Sequence, residues 1–481
     1  MSFRVPWPKA QTYKSKKMRK IIFLFIALAT VTGGCKKYLD VNKDPNNTLD
    51  VQEDLILAPL ETDVSDFIHA GFSPGQGPII LQYFGQVIAP NQLNPGLWSY
   101  QMFNTDVNGD WDNFYVVCLN NMKILHDKGV KDNKPNYTAI ADILSAFTLG
   151  TATDFWGDVP YSQGFKGSGN FTPAYDKQED IYKTVQDLLN EAIGLIGQND
   201  PIKPSGADYI YQGGMGQWLK LAYTLKARYF MHLTKAPGHT ASVQADSALA
   251  ALANGMQADG DDFKFPYAGS AGGEDPWYYA FGQVSTAVLC STFIDSLQAR
   301  NDPRLSKMAK PTVSGGIYKG RTIGTTLGSL DDYSYPTDYY AGADAYNYIV
   351  NYSEAQFLAA EATLIRSGAA AAEPIYQAAI ANHMKKLGVG QTDIDAYIAT
   401  RGTLSAGNAL QRIMEEKSIA NFLNEENFTD WRRTGFPSLT KVQGGLSDIP
   451  RRLLYPESEI LTNPQPQQAA VLTDRVWWDA Q

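Results

Sequence analysis

The chain has 481 residues, with 41 Lys/Arg against 50 Asp/Glu for a formal net charge of −9, and is 44% hydrophobic and 12% aromatic. An acidic balance argues against nucleic acid as a partner, because phosphate backbones reward a basic face. The length is ample for a large core in one or two domains.

The N-terminus reads as an export signal. Met18-Arg19-Lys20 is a positive head, residues 21–31 are apolar apart from Thr30, Thr32-Gly33-Gly34 are small, and Cys35 follows. That order matches a secretory signal with a bacterial lipoprotein-type cleavage site. The apolar run is shorter than the roughly 20 residues of a comfortable membrane span. Residues 1–34 are therefore expected to be a signal peptide, with 1–17 either an over-extended start or a long basic head. Cys35 is expected to carry lipid and hold the mature chain to a membrane. Thr32 stands where such signals usually carry Leu, which leaves an uncleaved anchor or an ordinary secreted protein as alternatives. Removing 1–34, with seven Lys/Arg and no Asp/Glu, takes the net charge from −9 to −16.

Residues 35–51, with Pro45 and several asparagines, read as a tether, and 52–481 as one helical domain. Helical periodicity dominates that domain. Ile181, Tyr182, Val185, Leu188, Leu189, Ala192 and Ile193 make one apolar stripe, and Trp218, Leu221, Ala222, Leu225 and Tyr229 make another. Further helices are predicted over 55–70, 111–128, 137–153, 242–254, 286–298, 357–365, 375–387 and 409–425. Gly368 is expected to end one of them and Pro374 to open the next. Small residues such as Ala359, Ala360, Ala362, Ala378 and Ala379 at the crossings resemble tetratricopeptide units, although no strict 34-residue period is present. Four long irregular stretches, 90–109, 157–175, 255–284 and 311–348, are predicted to be large loops on this scaffold, and loops of that length usually carry function.

Motifs for catalysis fail on inspection. Gly71-Phe72-Ser73-Pro74-Gly75 has the form of a nucleophile elbow, but Pro74 lacks the N–H that an oxyanion hole requires. Asp106, Asn108 and Asp110 begin like a calcium loop, yet Trp111 and Val117 stand where the Gly and Glu of an EF-hand belong. A looser calcium site there is the alternative to a loop whose acids cap the helix near Trp111. The five histidines form no metal motif, and no cofactor is expected. Cys118 and Cys290 lie in apolar runs and read better as buried thiols than as a disulfide. Carboxylates are plentiful, but sequence cannot place two of them across a sugar, so a glycan hydrolase stays the alternative to a binder.

Aromatic residues on the polar, Gly/Pro-rich loops are the better lead: Trp98, Tyr100, Trp277, Tyr278, Tyr279, Tyr333, Tyr335, Tyr339 and Tyr340. Flat rings either stack on sugars or peptide side chains, or pack the loops onto the scaffold.

Several segments in order then resemble one family. Cys35-Lys36-Lys37-Tyr38-Leu39-Asp40, Asn42-Lys43-Asp44-Pro45-Asn46, Asp154-Phe155-Trp156-Gly157-Asp158-Val159-Pro160-Tyr161, Tyr175-Asp176-Lys177-Gln178-Glu179-Asp180-Ile181-Tyr182, Asp430-Trp431-Arg432-Arg433-Thr434-Gly435-Phe436-Pro437 and Pro450-Arg451-Arg452-Leu453-Leu454-Tyr455-Pro456 resemble the SusD/RagB family of outer-membrane nutrient-binding lipoproteins. The resemblance implies a mainly α fold of tetratricopeptide-like helix pairs with large ligand-facing loops. It implies a non-enzymatic, surface-exposed, lipid-anchored partner of a TonB-dependent SusC-like transporter, capturing an oligosaccharide or peptide. A structural lid without its own ligand is the other reading. Arg432, Arg433 and Arg451 are expected to tie loops together through carboxylates.

Overall fold

The computed structural model describes residue 2 and residues 51–71, 76–90, 100–204, 206–283, 287–325, 328–442 and 445–480. The rest of the signal sequence, Cys35, the tether up to residue 50 and Trp98 lie outside the described residues. Residues Glu53–Gln481 form one compact unit.

Helix α1 (Glu53–Asp63) continues as a π-helical segment, Val64–His69. Next come α2 (Gly77–Phe84), strand β1 (Ile88–Pro90) and a second π segment, Asn113–Leu119, that leads into α3 (Asn120–Lys131). The scaffold helices α4 (Pro135–Trp156), α5 (Gln178–Ile196), α6 (Met215–His232) and α7 (Ala241–Leu252) follow. Strands β2 (Phe263–Pro266) and β3 (Ala287–Leu289) precede α8 (Ser291–Ala299). Strand β4 (Tyr346–Val350) leads to α9 (Tyr352–Ser367), α10 (Ala369–Lys386), α11 (Gln391–Arg401), α12 (Ala409–Ala420) and α13 (Glu426–Thr434).

Helices α3 to α7 each pack on the next, α7 also packs on α9, and α9 packs on α10, so the helices form a continuous layered scaffold. The fold is mainly α, as its periodicity predicts. Among the described residues the strands make two short antiparallel ribbons, β1 with β3 and β2 with β4. Helix α4 is the centre of the scaffold and is buried from Asn136 to Trp156. Its small residues allow this. A Cβ at Gly150 would sit 2.3 Å from the Tyr229 hydroxyl, so glycine sets how closely α4 and α6 approach.

Several boundaries differ from the sequence reading. Pro374 lies inside α10 and does not open it, because residues 369–372, all alanine, extend the helix one turn upstream. Part of the helix predicted over 286–298 is strand β3, and α8 starts only at Ser291. The helix predicted over 409–425 stops at Ala420, where Leu423 turns to φ +62 and the Asn424 side chain accepts from the Glu426 N–H to start α13. Cys118 and Cys290 are free and buried. Among the described residues no helix is long and apolar enough to cross a membrane.

Buried charges join the scaffold to the C-terminal segments. Arg228 on α6 grips Glu354 on α9 through two hydrogen bonds, at 2.8 and 2.6 Å. Lys417 meets Asp430 at 2.7 Å. Arg433 holds Glu361, and Arg451 holds Asp479 at 2.5 and 2.7 Å. Arg432 departs from the expected pattern: it donates to the backbone carbonyls of Asp154 (2.6 Å) and Arg451 (3.0 Å), not to a carboxylate.

Candidate functional site

The site is built where α1 and its π segment, the loop before α6, and strand β2 with the loop after it meet. Asp208 fixes the loop before α6 by accepting from the N–H groups of Ile210, Tyr211 and Gly213 and from Trp218 Nε1 at 2.7–3.1 Å. The Tyr209 N–H donates to Glu61 on α1 at 2.7 Å. So clamped, Tyr209 keeps its side chain in the open, at 46% exposure. Strand β2 pairs with β4 in a register that sets Phe265 opposite Asn347, and Phe265 then meets Tyr209 edge to face at 6.2 Å. Tyr267 lies 5.0 Å beyond Phe265. Its hydroxyl is held by Ser65 at 2.7 Å and by Asp66, both on the π segment.

Together these groups border a cleft of about 730 Å3, within the range of small-molecule sites, roughly 300–1,000 Å3. Glu274 closes one side. It accepts from the N–H groups of Gly272 (2.7 Å) and Gly273 (3.1 Å) and from the Tyr279 hydroxyl (2.6 Å). No Lys, Arg or His is among the described residues that line the cleft.

The carboxyls around it titrate differently. Burial pushes Asp66 up to about 6 despite its bond from Tyr267, and burial with the neighbouring Asp66 charge does the same to Asp63. Burial and the adjoining Asp208 hold Glu61 well above the carboxylate range. The hydrogen bond from Tyr279 lowers Glu274. An exposed aromatic face beside fixed carboxylate acceptors suits a ligand with an apolar face and hydroxyl donors.

The sequence-level aromatic candidates divide. Tyr279 reaches the cleft wall through Glu274, and Tyr278 packs on Tyr279 at 5.8 Å. Trp277 is 2% exposed and lies against Phe281, and Tyr100 is 1% exposed against Phe84. Tyr333 is buried with Lys319 and Arg321 over its ring. Tyr335 and Tyr339 are half-buried, and Tyr340 is buried. Tyr339 stacks on Tyr348 at 5.9 Å, away from the cleft lining. Burial gives Tyr100, Trp277 and Tyr333 a packing role. Tyr209, Phe265, Tyr267 and Asp66 were not singled out from sequence. The alternation Phe263-Lys264-Phe265-Pro266-Tyr267 was the available signal, since it reads as a short strand.

The calcium candidates are engaged otherwise. Asp110 is buried and accepts from the N–H groups of Gly77 (2.8 Å) and Gln76 (3.1 Å), so it caps α2 and not the helix near Trp111. Asp106 accepts from the Phe103 N–H at 2.7 Å, and Asn108 from the Ser458 N–H at 3.1 Å. Among the described residues, no group of three or more His, Cys, Asp or Glu could hold a metal ion.

A family model described as SusD-like, "Starch-binding associating with outer membrane", matches residues 46–456. Among solved structures, a SusD/RagB family protein from Bacteroides thetaiotaomicron superposes with a TM-score of 0.77 at 22% identity, covering 89% of this chain and 99% of that one. A chitin-binding SusD homolog from Flavobacterium johnsoniae gives 0.77 at 22% identity, covering 89% and 98%. A protein titled chitin-binding gives 0.73 at 24% identity, covering 89% and 99%. No curated protein matches the sequence.

Proposed function

The chain belongs to the SusD-like family, and from that premise we propose that it is a cell-surface binding lipoprotein, anchored through Cys35. It captures an oligosaccharide in the cleft bordered by Tyr209, Phe265, Tyr267, Asp66 and Glu274 and passes it to a TonB-dependent SusC-like transporter. The observation that carries this reading is the open Tyr209 ring beside Phe265 and Tyr267 in a cleft of about 730 Å3 with no cationic lining among its described residues. A sugar ring offers an apolar face to the aromatic and hydroxyl donors to the carboxylates. The family description names starch, and two structural relatives are titled chitin-binding, so maltohexaose and chitohexaose are the first ligands to try.

The role is capture without chemistry. Asp66 is engaged by Tyr267, and Glu274 by Tyr279 and two amides. These contacts fix one oxygen of each carboxyl, Asp66 Oδ1 and Glu274 Oε2, and leave the other to accept from a ligand hydroxyl.

The test is titration calorimetry on a soluble chain starting at Lys36, with both hexasaccharides and short cationic peptides, followed by mass spectrometry of each mixture. Oligosaccharide binding that Tyr209→Ala weakens, with ligand mass unchanged, is the expected result. Cleaved sugar would replace capture with hydrolysis. Peptide binding alone would change the ligand class. No binding by any ligand, with transport still dependent on the chain, would make it a structural lid.

A further inference from the structure

A second cavity, of about 420 Å3, opens between α3, α4, α5 and the loop that follows α4. Two observations mark it as more than a packing gap. The first is an unused acceptor. Asp142 on α4 is 1% exposed, and its Oδ1 accepts from His126 Nδ1 at 2.7 Å, yet its Oδ2 is buried with no hydrogen-bond partner. A buried carboxylate oxygen without a donor is costly unless something supplies one. The second is the backbone of Phe165, held at φ +58. Bulky residues seldom adopt this left-handed region, and such positions persist where the surroundings enforce them, often at binding sites.

Those surroundings are well defined. Asp176 accepts from the N–H groups of Tyr161 (2.8 Å) and Ser162 (2.7 Å) and from the Ser162 hydroxyl (2.5 Å), which pins the start of the loop. Phe165 then meets Tyr161 edge to face at 5.9 Å, stacks on Tyr115 at 6.3 Å, and stays partly open on the cavity. The charged groups of the lining carry both signs. Glu191 and Asp142 stand against His126, Lys123 and Lys166, and Lys123 is already paired with Asp127 at 2.8 Å. A mixed lining gives no preference for a net-charged ligand. Aromatic edges beside donors and acceptors favour an uncharged polyhydroxyl one.

We propose that this cavity is a second oligosaccharide-binding site, separate from the Tyr209 cleft, in which Phe165 and Tyr161 meet a sugar ring while Asp142 Oδ2 and His126 take its hydroxyls. The proposal does not depend on the first cleft, and no residue lines both cavities.

The experiment is a 1H–13C spectrum of the histidine ring carbons of the full chain in detergent. The chain has only five histidines, so substitution assigns each signal. Maltohexaose and chitohexaose are added in turn at millimolar concentration. The His126 signal is expected to shift with at least one of them and to persist in doing so in Tyr209→Ala. Phe165→Ala is expected to weaken the response at least tenfold, and Phe165→Tyr to retain it. An unchanged His232 signal reports that the variants remain folded. A His126 signal that neither sugar moves would overturn the proposal, as would a shift lost in Tyr209→Ala or retained at full strength in Phe165→Ala.

Discussion

His232 Nε2 on α6 donates to Glu426 Oε1 on α13 at 2.9 Å, with both side chains buried. Burial alone would pull the imidazole down, but the carboxylates of Glu426 and Asp154 more than offset it and raise His232 from its ordinary 6.5 to about 9. A group with a raised folded pKa stabilises fully below its unfolded value and loses that contribution as pH climbs through the folded value. The His232 contribution, of order 3 kcal/mol for a shift of this size, is therefore present at pH 6 and lost between pH 6.5 and 9. Glu426 shifts the opposite way: burial raises it, but His232, Arg228 and Lys417 together lower it overall, so its contribution disappears as pH falls below the ordinary carboxylate range. Thermal melts from pH 6 to pH 9.5 should show a falling Tm in the wild type and a flatter curve in His232→Gln. Parallel curves would mean that His232 is neutral in the folded protein.

Breaking the Arg228–Glu354 pair from one side should be severe. Both partners are buried, with side-chain exposures of 3% and 0%. Arg228→Leu leaves the Glu354 carboxylate buried with its strongest partner gone, a loss of about 3–5 kcal/mol. Replacing both by apolar residues of similar volume should recover much of that. Chemical denaturation of the two single variants and the double variant measures the difference.

Tyr209→Ala and Trp277→Ala should separate binding from folding. Tyr209 is 46% exposed and Trp277 is 2% exposed. Loss of the open ring should weaken oligosaccharide binding about two- to twelvefold, since one aromatic contact is worth roughly 0.5–1.5 kcal/mol beyond its area. Tm should change little. Trp277→Ala should cost about 3–5 kcal/mol of stability. Calorimetry and melting on the same two proteins decide the point.

Gly150→Ala should destabilise the scaffold. The added methyl would stand 2.3 Å from the Tyr229 hydroxyl, deep between α4 and α6. Overpacking of this kind typically costs about 1–3 kcal/mol. Two ring carbons of Tyr229 would also stand 2.4 and 2.6 Å from the methyl, so pairing it with Tyr229→Phe should not restore the loss in urea unfolding.

Calcium removal should leave stability unchanged. Asp106, Asn108 and Asp110 already accept from backbone N–H groups. Melting in EDTA and in millimolar calcium should coincide. Asp110→Ala, which uncaps α2, should cost about 0.5–2 kcal/mol in either buffer.

The helical scaffold was legible in the sequence because an amphipathic helix repeats its apolar residues locally. The stripe from Ile181 to Ile193 and the one from Trp218 to Tyr229 each lie within one helix. The helix boundaries were less legible, because the break after Ala420 depends on the Leu423 backbone and the Asn424 cap and not on hydropathy. The order of the family segments along the chain was also readable without coordinates.

The cleft was decided by tertiary structure alone. Asp66, Tyr209 and Phe265 come from three separate parts of the chain, and nothing in their local spacing says that they meet. The same holds for burial. Trp277 and Tyr279 stand two residues apart where a short helix, Pro276–Tyr278, passes into a π-helical segment, Tyr279–Gln283, yet one ring is enclosed and the other bonds Glu274 at the cleft wall. Local pattern records which face of an element is apolar. Which polar loop residues stay open depends on what the rest of the chain packs against them, and only the assembled fold supplies that.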